Sequence, residues 1–217
     1  MKEIGMLFSS EMVRAILDER KTQTRRLARD CRIDSNGNAW QGNRYFGQDM
    51  RGTPHVDRWR KPCDVGDRIY VRETWSYYYV DSDTKKQFYY YKADYPDFEQ
   101  GFTPDGWDSR PPVAGGDRWY PSIHMPKAAA RIWLEVTDVR IERLQDISEK
   151  DAIAEGIDME SEFASLCIDL ETAPYSNDLV RNSAAITVFK KLWESTCGSW
   201  DANPWVWAIS FKRIEVK

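Results

Sequence analysis

Residues 9–27 read SSEMVRAILDERKTQTRRL, and the change of pattern halfway along this stretch decides the fold. Met12, Val13, Ile16 and Leu17 recur at the spacing that gathers apolar side chains on one helical face. Ser9 or Ser10 supplies the hydroxyl that caps such a helix. The period stops near Glu19. The following RKTQTRRL is polar and rich in threonine and arginine, which predicts a strand or strand-like turn with its side chains displayed.

Outward from there, MLFSS before the helix reads as a short strand, and residues 31 to 64 show no steady period, which predicts a long ordered loop or insertion. Gly66-Asp67 makes a turn into the strand RIYVRETW, and further strands are expected around SYYYV and KQFYYYKA, before a Pro/Gly-rich loop from Tyr95 to Gly116. In ARIWLEVTDVRIERL, Ile132, Leu134 and Val136 alternate with polar neighbours, and the alternation resumes at Val139 and Ile141 after a bulge at Thr137-Asp138. ISEKDAIAEGI predicts a short helix. Ser148 and Asp151 stand at capping-box spacing, Ala152 and Ile153 point inward, and Gly156 stops it. An insertion from Asp158 to Asn182 leads to the amphipathic helix SAAITVFKKLWEST, with Ile186, Phe189, Leu192 and Trp193 on one face, and PWVWAISFKRIEV is the last strand. With no repeat and no low-complexity linker, the expectation is one α+β domain over 1–217 with insertions at about 28–63 and 158–182.

Composition narrows the function. No apolar run approaches a membrane span, and no secretory leader is seen, so a soluble, cytoplasmic protein without a membrane partner is expected. Cys31, Cys63, Cys167 and Cys197 form no CxxC pair and the histidines are His55 and His124, so no zinc site, other metal or cofactor is expected. The net charge is −4, yet Arg14 to Arg72 holds 14 Lys/Arg against 8 Asp/Glu, an excess of +6 that leaves −10 for the rest. A basic patch on an acidic protein is thus consistent with a polyanionic partner. The 10 tryptophans and 11 tyrosines serve cores and also stack on bases. Walker-type, GxGxxG and GxSxG motifs are absent.

The order of helix, Lys/Thr/Arg segment, GD turn, strands, EKDAIAEG helix and final strand resembles the ASCH family, whose hallmark is approximately Gly-x-Lys-x-x-Glu/Thr-x-Arg. It stands here as Glu19 to Arg26, with Glu19 in place of the leading glycine, so the bend must be made with a side chain present. The resemblance implies a PUA-like mixed β-barrel with flanking helices, in a long member of the kind carried by phages and prophages. It also implies a nucleoside, RNA or DNA as partner. Small ASCH proteins similar to this chain are amidohydrolases that remove the acetyl group from N(4)-acetylcytidine. Their working Lys, Thr and Glu fall, by motif position, on Lys21, Thr24 and Glu155.

That chemistry needs a lysine whose pKa is lowered enough to act as a base, a change that Arg25 and Arg26 favour, while Glu155 shuttles a proton or orients the amine. On a regular strand Lys21 and Thr24 point to opposite faces and meet only across a turn or bulge. Arg20, Arg25, Arg26 and Arg72 are candidates for gripping phosphate. Glu73 is expected to pair with Arg72 or Lys21 beside a cavity, and Trp75, Tyr78 and Trp119 are candidates for stacking on a base. The competing readings are a non-catalytic module that binds RNA or modified DNA and, third, a ribonuclease.

Overall fold

The computed structural model describes residues 1–79, 87–95, 119–158 and 177–215, without the side chains of 78, 79, 87 and 177–183. The Pro/Gly-rich loop beyond Tyr95 and most of the 158–182 insertion, with Cys167, therefore lie outside the described residues. In chain order the elements are β1 (Glu3–Leu7), α1 (Ser10–Leu17), β2 (Gln23–Leu27), β3 (Cys31–Ile33), β4 (Ala39–Gln41), β5 (Arg44–Gly47), β6 (Arg68–Arg72), β7 (Trp75–Tyr79), β8 (Gln87–Tyr91), β9 (Trp133–Arg143), α2 (Glu149–Ala154), α3 (Asn177–Thr196) and β10 (Trp205–Ile214). The class is mixed α+β, richer in strands than in helices, as the sequence led one to expect. No helix of the described residues is long and apolar enough to cross a membrane.

The chain divides into two compact units. The first comprises Met1–Asp18, Asp67–Glu135 and Arg213–Lys217. In it β1 runs parallel to β6, from Glu3 opposite Arg68 to Leu7 opposite Arg72, and β6 pairs antiparallel with the start of β9. Ile69, Val71 and Leu134 are at most 1% exposed, the inward half of the alternation. Ser9 Oγ accepts from the Met12 amide at 3.3 Å and starts α1, whose buried residues are Val13, Ala15 and Ile16. β7 and β8 form a hairpin in which Trp75 faces Tyr91, and Trp75 packs with Met125, Ala129, Tyr77, Tyr89 and Tyr120.

The second unit comprises Glu19–Gly66 and Val136–Lys212. β2 pairs antiparallel with β10, Thr24 opposite Ile209, and α2 and α3 close a core of Leu144, Ile147, Ala152, Ala185, Val188, Phe189, Trp193, Trp200 and Val206. The helix face predicted for 183–196 holds at Phe189 and Trp193 and is corrected at Ile186 and Leu192. Ala185, Val188, Phe189 and Trp193 are the buried positions, with Ile186 only partly buried and Leu192 half-exposed. Ile153, expected inward, is 42% exposed, because so short a helix turns one side, through Ala152, to the core. β9 runs unbroken through Thr137 and Asp138, both exposed, so the change of alternation does not interrupt the strand.

Residues 31–47, expected as loop, are a three-stranded antiparallel meander, β3-β4-β5. Its strands are three or four residues long, too short for an alternation to show in the sequence. The turn between β3 and β4 is set by Asp34, whose carboxylate accepts from the amides of Asn36 and Asn38 at 2.9 Å each.

Candidate functional site

The local backbone brings two distant residues together before any side chain acts. Glu19 takes φ 61°, so the bend after α1 is made by a glutamate in the left-handed region. The chain leaves it extended. Lys21 forms an antiparallel bridge with Glu155, the Thr22 amide donates to the Ala154 carbonyl at 2.9 Å, and the Phe211 amide donates to the Thr22 carbonyl at 2.9 Å. Glu155 is the C-cap of α2, whose start is fixed by Ser148 Oγ accepting from the Asp151 amide at 3.2 Å, and Gly156 at φ 90° turns the chain away.

Lys21 Nζ donates to the Glu155 carbonyl and to Glu155 Oε2, both at 2.8 Å, with side chains 0% and 4% exposed. Arg25 shares the cluster. Its Nη1 donates to Glu155 Oε1 at 3.1 Å and to Gln23 Oε1 at 2.8 Å, and its Nε and Nη2 grip Glu142 Oε1 at 2.9 and 2.6 Å. Arg140 completes it, donating to Glu142 Oε2 at 2.9 Å and to Asp151 Oδ2 at 2.6 Å. Lys21, Arg25 and Arg140 thus meet Glu142, Asp151 and Glu155, three cations against three carboxylates.

Burial pushes the Lys21 pKa below the ordinary lysine value; the Glu155 carboxylate opposes this, and Arg26 and Arg25 add to the lowering. The ammonium therefore sits where losing its proton is easier than in water. Arg26 is also lowered by burial, against the pull of Glu155. Asp151 is pushed up by burial, but the Ser148 hydroxyl, Arg140 and Arg25 outweigh that and hold it below its usual range.

The structure separates some of the predicted residues and joins others. Lys21, Gln23 and Arg25 alternate along one side of the extended segment; Lys21 and Arg25 reach Glu155 at the end of α2, and Gln23 reaches Asp151 in its first turn. Thr24, 2% exposed, leaves the strand on the other side, the side that Arg26 shares by the same alternation. Arg20 Nη1 donates to the Gly156 carbonyl at 3.0 Å.

Arg72, Glu73, Trp75, Tyr78 and Trp119 belong to the first unit, and the Lys21 cluster belongs to the second. Glu73 is 1% exposed, and its partner is neither Arg72 nor Lys21 but Arg131, whose Nε and Nη2 donate to its two oxygens at 2.9 and 3.1 Å. Adjacent residues on extended backbone point apart, so Arg72 turns away and donates instead to the Ile123 carbonyl. Arg131 also pairs with Asp94 at 2.7 Å and lies 4.0 Å from the Tyr91 ring centroid. Trp75, 6% exposed, stacks within a core of Tyr77 and Tyr120 at 5.6 and 5.2 Å, which leaves it little face for a base. Trp119 is half-buried, 6.3 Å from the Tyr95 ring, and the Tyr78 side chain lies outside the described residues. A cleft of about 540 Å³ in this unit is lined by Arg131, Trp133, Arg213 and Glu215 among others.

Glu142, Arg140 and Gln23 were not singled out from the sequence, and Asp151 only as a capping residue. The available signal was the pair Arg140 and Glu142, two charges on one side of a long strand in place of apolar residues.

No protein-family model matches the chain, and no curated protein matches it. Among solved structures it is similar to an ASCH domain from Lactobacillus crispatus JV V101, at a TM-score of 0.36 and 10% identity over 98% of this chain and 79% of that one. A likeness of that size carries no part of the argument.

Proposed function

We propose that the second unit handles a modified nucleobase and that the Lys21–Glu155 pair is the reactive centre of an amidohydrolase, one that removes an acyl group from the exocyclic amine of a cytidine. The supporting observation is the 2.8 Å contact between Lys21 Nζ and Glu155 Oε2, at a lysine whose pKa burial has lowered. The resemblance of residues 19–26 to the ASCH motif supplies the substrate class.

Transfer of one proton along that hydrogen bond turns the ion pair into a free amine beside a carboxylic acid, a base and an acid in one place. The amine takes a proton from water as the water oxygen bonds to the acyl carbon. Glu155 then gives its proton to the exocyclic nitrogen as the carbon–nitrogen bond breaks. The products are the amine and the carboxylic acid, and the ammonium and carboxylate are restored. Thr24 stands on the other side of β2 by strand alternation, so this scheme gives the attack to water.

The test is incubation with N(4)-acetylcytidine and detection of free cytidine. Lys21→Ala is expected to lower the rate at least about 100-fold. Because the reactive amine and acid together hold the one proton the ion pair shares, the rate should be level below the lowered Lys21 pKa and fall as pH rises through that value, below the ordinary lysine pKa of 10.5, and the pair loses that proton. Undiminished turnover in folded Lys21→Ala, or a rate still undiminished at pH 10.5, would remove the assignment.

A further inference from the structure

The β3-β4-β5 meander presents a row of three side chains across its three strands. Arg32 lies opposite Trp40, and Trp40 opposite Tyr45, so the antiparallel register puts all three on one face. The Arg32 guanidinium carbon sits 5.4 Å from the Trp40 ring centroid, and the Trp40 and Tyr45 rings meet edge to face at 5.0 Å. Ala39, at 0% exposure, and buried Gly47 mark the opposite, inward side, whereas Arg32 is exposed and Tyr45 is 57% exposed.

The row is held in place by its own polar edges. Trp40 Nε1 donates to Asp34 Oδ2 at 2.9 Å, and the Tyr45 hydroxyl donates to Asn38 Oδ1 at 3.0 Å. Asp34 itself is pushed down to about 2 by the Asn38 amide and the Trp40 indole, so the tether stays ionised. Rings fixed at their edges offer their faces without further loss of rotamer freedom. The segment 29–61 that carries them exposes Arg29, Arg32, Arg44, Arg51, Arg58, Arg60 and Lys61, seven cations against Asp30, Asp34, Asp49 and Asp57, a local +3 on a chain of net −4 that leaves −7 elsewhere.

From this combination we infer that the meander is a docking surface for a single-stranded polynucleotide, its bases stacking on Tyr45 and Trp40 and its phosphates meeting Arg32 first among the exposed cations of the segment 29–61. Stacking platforms flanked by cations suit unpaired bases, whose faces are open, and not a duplex, whose bases stack on one another. Charge complementarity favours this occupant, since the surface is basic on an otherwise acidic chain. It does not depend on the Lys21–Glu155 reading.

The experiment is fluorescence anisotropy with labelled 15-residue oligo-uridine and oligo-thymidine on the full chain, with the matching duplex as comparison. The two single strands distinguish RNA from DNA. Binding is expected to weaken as salt rises and to be tighter for a single strand than for the duplex. Tyr45→Ala and Arg32→Ala, both at exposed positions, should each lower single-strand affinity at least about fivefold. Tyr45→Phe, which keeps the ring, should retain it. Hydrolysis of free N(4)-acetylcytidine, where present, should be unchanged in Tyr45→Ala, which separates failure of this surface from failure of the Lys21 assignment. Absence of single-strand binding at low salt, or Tyr45→Ala and Arg32→Ala variants that melt like the parent and bind like it, would overturn the proposal.

Discussion

Each unit of this protein hides a carboxylate from water and gives it a cation, but the two pairs have different chemistry. In the first, Glu73 is 1% exposed and Arg131 grips both its oxygens. In the second, Glu155 is 4% exposed and meets Lys21 as well as Arg25. A guanidinium stays charged at any ordinary pH, so the Glu73 pair can only hold structure. A buried lysine can give up its proton, so the Lys21–Glu155 pair can move one. Burial alone does not mark a reactive site; the identity of the partner does.

The largest effect should come from Glu155→Ala, which leaves the buried Lys21 without its carboxylate. A loss of about 3–5 kcal/mol is expected in denaturant titration. Glu73→Ala should cost less, because Arg131 is 26% exposed and keeps Asp94. Equal losses would erase the distinction between the pairs.

Conservative exchanges of the cations sharpen it. Lys21→Arg keeps the charge and removes the group that can lose a proton, so deacylation should fall at least about 100-fold with a smaller loss of stability than Glu155→Ala. Arg131→Lys gives up a forked contact and should cost about 1–2 kcal/mol, with acyl hydrolysis untouched. A Lys21→Arg variant that turns over normally would make the second pair as inert as the first.

Smaller is the effect of Ser148→Ala, which removes the cap of the helix that carries Glu155 at its end. About 1 kcal/mol should be lost, seen as a lowered melting temperature. The smallest contrast is in acid. Asp151 has a folded pKa below its ordinary 3.8, so its contribution to stability is present above that value and is lost as pH falls through the folded one. Glu73 is raised by burial, with Arg131 opposing, so the sign reverses and protonation in acid relieves a cost. Hydrogen exchange below pH 4 should therefore loosen α2 before the β6 end; the reverse order would contradict both directions.

Much of the fold could be read locally. Ser9 and Ser148 cap the helices they were expected to cap, and the β7–β8 hairpin forms where aromatic residues cluster. The Glu19 bend was foreseen from the missing glycine of the motif, and its φ of 61° meets that requirement. The meander was invisible because three-residue strands carry no period, and on α3 Phe189 and Trp193 were read correctly while Ala185 and Val188 take the inward places expected of Ile186 and Leu192.

By itself the sequence determined the α+β class, the helix starts and the polar segment that bears Lys21, because caps, alternation and turn residues act between near neighbours in the chain. The tertiary structure decided which charges meet. Lys21 and Glu155 are 134 positions apart, and Arg131 displaced both expected partners of Glu73. Such pairings depend on strand register and on the side from which each residue leaves its strand, and both are settled only when the sheet closes around the core.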